Sequence, residues 1–136
     1  MNHVAVIQRT YADALLTGEK SIESRLSRNR CAPFGKINPG DRIYFKQSSG
    51  PYRLRAHVQA IESFSELTPV QIRRIRKTYN GQIGAPPHYW KRKRTARYAT
   101  LIWLTNIKSI TTGPDIPPLN GRGWLILTPH RHSRRK

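Results

Sequence analysis

The stretch GEKSIESR, residues 18–25, gathers Lys20, Glu23 and Arg25 in a chain that holds 7 Asp and Glu against 25 Lys and Arg. A carboxylate held between cations stays charged, with its pKa lowered. Lys and Arg bind phosphate, and a glutamate accepts from a base amino group. Together the three suit a reader of an anion and a base. A catalytic version makes Lys20 and Glu23 the reacting pair, with a partly desolvated Lys20 activating water. The bland alternative is an ion-pair network that stitches one element to the next. Within a strand Glu23 and Arg25 share a face, and Lys20 has the opposite parity. The three meet only if the chain turns at Gly18.

A second concentration of chemistry runs from Arg73 to Arg97, with no acid in it. Arg73, Arg74, Arg76 and Lys77 form one block. Lys91, Arg92, Lys93, Arg94 and Arg97 form another, and Tyr89 and Trp90 stand directly before it. Aromatics interleaved with cations suit single-stranded nucleic acid, because rings stack on bases while cations follow the phosphates. The HYWKRKR segment is therefore expected to bind, whereas Tyr79 is expected in the core. Arg122, in GRGW, is a further candidate beside Trp124, which is expected either in the core or, given its basic neighbour, on a cleft wall.

Other chemistries find no support. The two histidines of HRHSRRK have no third ligand, so no metal site is expected and the tail reads as added phosphate contacts. Cys31 has no His/Asn pairing by motif. There is no phosphate-binding P-loop, dinucleotide fingerprint or nucleophile elbow, and no cofactor is expected.

The elements that must position these residues follow from periodicity. HVAVIQ (3–8) reads as a strand. TYADALLTG follows as a helix, with Thr10 as N-cap, Ala12, Leu15 and Leu16 on one face and Gly18 at its end. KSIESRL reads as extended. Residues 27–41 are a loop that ends in the turn signal NPGD. RIYFKQ and LRAHVQA alternate and make a hairpin, with a register change near Ile61. In TPVQIRRIRKTYNG, Thr68 caps, Pro69 takes the first position and Gln71 completes a capping box. Ile72, Ile75 and Tyr79 form its buried stripe. QIGAPPHYWKRKRTAR reads as a loop with one helical turn. YATLIWLTNIKSI reads as a central strand with Trp103 in the core, and WLILT as the last strand. Such an order closes as a small barrel with flanking helices.

The totals set bounds. A chain of 136 residues makes one domain, here 1–128, with a basic tail at 129–136. Its net charge of +18 repels itself unless a polyanion is the partner. Nucleic acid leads over a membrane surface, since no basic amphipathic helix or long apolar run stands out. A single cysteine and the lack of a secretory signal point to a reducing, cytoplasmic setting. A monomer is expected.

The run ADALLTGEKSIESRL, followed by INPGDRIYF, resembles the ASCH domain, a branch of the PUA-like superfamily. The family pattern G-x-K-x-x-E-x-R falls on Gly18, Lys20, Glu23 and Arg25. Its loop ending G-D-x-I/L falls on Gly40, Asp41 and Ile43. The match runs from about His3 to about Phe64. It implies a mixed α/β, mainly β fold: a PUA-like small β-barrel with flanking helices and a cleft beside the first helix. It also implies RNA handling, RNA ahead of DNA, with a base or modified nucleoside in the cleft. Some relatives are hydrolases of RNA or modified nucleosides, and that is the alternative function. A nucleoside-amidohydrolase branch carries Thr where Glu23 stands, and Glu66 is the candidate for a third carboxylate.

Overall fold

In the computed structural model, residues 1–128 are described, and the tail with its histidine pair lies outside them. β1 (Asn2–Ile7) leads into α1 (Arg9–Thr17), which Gly18 ends in the left-handed conformation at φ 88°. β2 (Ile22–Ser27) follows the corner. β3 (Arg42–Gln47) and β4 (Tyr52–Phe64) form the expected hairpin. Two helices come next, α2 (Pro69–Ile83) and the short α3 (Pro87–Arg92). β5 (Tyr98–Ser109) and β6 (Trp124–Leu127) complete the order.

The strands make one sheet in the order β2-β5-β4-β3-β1-β6, curled into a half-barrel. Only β1 and β3 run parallel; every other neighbouring pair is antiparallel. β2 and β6 are the two edges, and they do not pair. The barrel therefore has a seam.

Two cores lie on opposite faces of the sheet. Ala5, Phe45, Leu54 and Ile102 pack with Leu15 of α1 in the first. Ile22, Leu26 and Leu101 pack with Ile72, Ile75 and Trp90 of α2 and α3 in the second. β5 feeds both, so it reads as a continuous apolar run rather than an alternation. The α2 capping box forms as expected, with Thr68 accepting from the Gln71 N–H and the Gln71 side chain accepting from the Thr68 N–H.

Two local expectations change. α1 begins at Arg9 with Gln8 as its N-cap, so Thr10 lies inside the first turn and caps nothing. Leu16 is exposed, because the curl of the sheet receives only Ala12 and Leu15. The register change expected near Ile61 is present, between Val58 and Ala60, and a second shift lies between Arg55 and His57. Among the described residues, no helix is long and apolar enough to cross a membrane.

Candidate functional site

The turn at Gly18 brings Lys20, Glu23 and Arg25 together. The Lys20 backbone N–H bonds the Ala14 carbonyl, which folds the chain back over the end of α1. The side chain then overcomes its strand parity. Its ammonium donates to the Ile22 carbonyl at 2.9 Å and the Ile83 carbonyl at 2.8 Å, and lies 3.3 Å from Glu23 Oε1. Glu23 Oε2 accepts from Arg25 Nε at 2.9 Å and lies 2.8 Å from Nη2. Lys20 and Glu23 are buried, at 4% and 6% exposure. Burial pushes the Glu23 carboxyl up, but the charges and hydrogen bonds of Arg25 and Lys20 outweigh it and hold the group below its ordinary value.

Arg25 closes the seam. From β2 its Nη2 donates to the Val6 carbonyl of β1 at 2.9 Å, and its Nη1 reaches the Gly123 carbonyl before β6 at 3.5 Å. Its guanidinium sits 5.1 Å from the Trp124 ring centre. The Trp124 indole N–H donates to His3 Nδ1 at 3.0 Å, so His3 carries its proton on Nε2 and donates to Asp41 Oδ2 at 2.8 Å. Burial first, then the charged amino terminus, lower the His3 pKa, and together they outweigh the raising effect of Asp41. Asp41 is pushed up by burial, but the His3 hydrogen bond and the Asn38 N–H hold it below its ordinary value.

Above this ionic floor opens a cleft of about 350 Å³ beside α1. Its walls include the rings of Tyr11, Phe34, Tyr89, Tyr98 and Trp124. Arg92 and Lys93 stand at its rim. Lys93 donates to the Leu26 carbonyl at 3.0 Å and lies over the Tyr89 ring; burial, then Arg92 and Arg25, lower its pKa. Tyr89 shares a hydrogen bond with Ser24 at 2.9 Å, and burial pushes its phenol up to about 12. Thr100, opposite Arg25 in the β2–β5 register, lines the cleft with a fully buried hydroxyl that has no partner among the described residues.

The other candidates fall elsewhere. Arg73, Arg76, Lys91 and Arg94 border a separate groove between α2 and α3. Arg74, Lys77 and Arg97 are exposed and line neither the cleft nor the groove. Trp90 is 4% exposed and belongs to the second core, so it is no stacking platform for a base. The reason is that its segment forms α3 and turns one face inward. Arg122 does not join the cleft either. Its guanidinium folds back on the Leu119 and Pro118 carbonyls, and Gly123 and Trp124 line the wall instead. Glu66 is exposed and lines neither site.

Sequence reasoning missed Tyr11, Phe34, Tyr98 and Thr100. Tyr11 sits beside the buried Ala12 in α1, Phe34 in a loop without periodicity, and Tyr98 and Thr100 in a strand that reads as core. Only the polarity of Thr100 within that apolar run marks it.

No family model and no curated protein sequence matches the chain. Solved structures do. The ASCH protein from Zymomonas mobilis superposes with a TM-score of 0.70 at 14% identity, over 97% of this chain and 91% of that one. A mutant of the same protein gives 0.68 at 15% identity, over 98% and 94%. The N-terminal domain of Staphylothermus marinus McrB gives 0.54 at 12% identity, over 98% and 93%. Identities this low speak for the fold alone.

Proposed function

With an ASCH-type, PUA-like fold as the premise, we propose that the chain binds single-stranded RNA and takes one base or modified nucleoside into the cleft beside α1. The observation that carries this reading is how the cleft uses its cations. Lys20 spends its three N–H groups on two carbonyls and Glu23. Arg25 spends its fork on Glu23 and the seam. Arg92 is exposed and in no ion pair among the described residues, and Lys93 has one protein acceptor. These two are left for a phosphate. Tyr11, Phe34 and Tyr98 offer ring faces and edges to a base. The Thr100 hydroxyl offers a spare hydrogen bond. A volume of about 350 Å³ suits one nucleoside-sized group rather than a duplex.

Hydrolysis through Lys20 would require breaking contacts that already satisfy every hydrogen it has. We therefore read the ionic triad as the floor that shapes the cleft. RNA stands ahead of DNA on the resemblance, and matched ligands test it. Calorimetric titration should show a ribo-oligonucleotide binding more tightly than its deoxy counterpart. Arg92→Ala should weaken the ribo-oligonucleotide about tenfold or more, as loss of a charged hydrogen bond does. Unchanged affinity in Arg92→Ala and in Lys93→Ala would remove the cleft from the reading.

A further inference from the structure

α3 separates two cationic surfaces. Tyr89, Arg92 and Lys93, at i, i+3 and i+4, line the cleft. Pro87, Trp90, Lys91 and Arg94, at i, i+3, i+4 and i+7, line the groove against α2. At about 3.6 residues per turn, these two sets point to opposite sides of the helix and its following turn. The groove has a volume of about 380 Å³, and α2 contributes Pro69, Ile72, Arg73 and Arg76.

Arg73, Arg76, Lys91 and Arg94 border an apolar floor of Ile72, Trp90 and the two prolines. No acid lines the groove, and none of its cations forms an ion pair among the described residues. Among the described residues, the guanidinium of Arg94 reaches only the Lys91 carbonyl, at 2.7 Å. The indole N–H of Trp90 is buried without a partner among the described residues. Like charges gathered without counter-charge raise the local potential and favour a polyanion.

We propose that the α2–α3 groove is a second binding site, for the sugar–phosphate backbone of the strand whose base or nucleoside sits in the cleft. The choice of occupant rests on the RNA reading above. It follows from continuity, since Arg92 and Lys93 on one side of α3 and Lys91 and Arg94 on the other offer one strand a charged path across the helix. A helix with side chains is about 10–12 Å across, and a stacked strand carries a phosphate about every 3.4 Å, so a few nucleotides join the two sites. A mononucleotide meets the cleft alone. A longer strand meets both, and the second contact is intramolecular.

The test compares uridine monophosphate with an oligouridylate of about twelve nucleotides. Arg73, Arg76, Lys91 and Arg94 are changed together to Ala, and Arg92→Ala is the cleft control. The groove variant should bind the monophosphate as wild type does and bind the oligonucleotide at least tenfold more weakly. Its log–log salt slope should be shallower by about 2–3, from roughly four phosphate contacts at about 0.7 each. Arg92→Ala should weaken both ligands. Wild-type oligonucleotide affinity and slope in the groove variant would overturn the groove and leave the cleft reading standing. Groove-dependent oligonucleotide binding without monophosphate binding would uphold the groove and remove the cleft. Polyglutamate that competes as well as oligouridylate at equal charge would assign the groove to acidic peptide and overturn the proposal. Should the fourfold variant fold poorly, the pairs Arg73/Arg76 and Lys91/Arg94 are changed separately, each expected to remove about half of the slope change.

Discussion

Glu23 is a buried anion whose charge is balanced by Lys20 and Arg25, so removing it strands both cations. Glu23→Gln should destabilise the fold by about 3–5 kcal/mol, the scale for breaking a buried pair, as read by chemical denaturation. Because its folded pKa is depressed, the stability it adds is full above the ordinary value of 4.5 and is lost as pH falls through the folded value. The Gln variant should show a smaller acid limb, with Asp41 supplying what remains; a variant that keeps the full limb would place the titration elsewhere. His3 titrates in a higher window. Its folded pKa is also lowered, so the neutral form is favoured and stability is full above 6.5, falling as pH drops toward the folded value. Asp41, Trp124 and the charged amino terminus face it. Denaturation midpoints between about pH 7.5 and pH 5 should fall in the wild type and stay flatter in His3→Gln. The triad was legible because the Gly18 corner shows in the sequence. The His3–Trp124 contact was not, since 121 positions separate the partners and nothing local links them.

At the scale of elements, α3 shows where periodicity was too short to read. One face of a six-residue helix offers only one or two apolar positions, so Trp90 looked like part of a charged loop. Its burial makes Trp90→Ala a core truncation, expected to cost about 3–5 kcal/mol. Weaker oligonucleotide binding in a variant with wild-type melting would contradict that placement. The corner before β2 is the other element to test. Gly18 has φ 88° with nothing within 4 Å of an added Cβ, so Gly18→Ala meets backbone strain alone. A loss of about 1–2 kcal/mol is expected from thermal melts. α2, by contrast, was readable from its start, because Thr68, Pro69, Gln71 and the Ile72/Ile75 stripe all point to one conformation, although its last residues, Gln82 and the buried Ile83, read as the start of the next loop.

For the whole molecule, the net charge of +18 should make the proposed RNA binding fall steeply with salt. Neutralising roughly six phosphates gives a log–log slope of about −4, and a flat dependence would count against electrostatic binding altogether. The ASCH-type barrel expected from GEKSIESR and PGDRI is borne out across the chain, because the strands alternate and the turns carry their own signals. Which edges would meet was not written in any strand, since closure depends on curl accumulated over the whole sheet. That closure has a mechanical meaning. Among the described residues, the Arg25 guanidinium laces the sheet along one line, as a button closes a cuff. Undoing it breaks the Arg25 contacts with Val6 and Gly123 while every strand ladder stays intact. The cuff should therefore gape along that line before it unravels anywhere else, and a guest lodged beneath the button would hold it shut. Amide hydrogen exchange should be faster at the rims, β2 and β6, than along β4 and β5, and a bound nucleotide should slow the rims most.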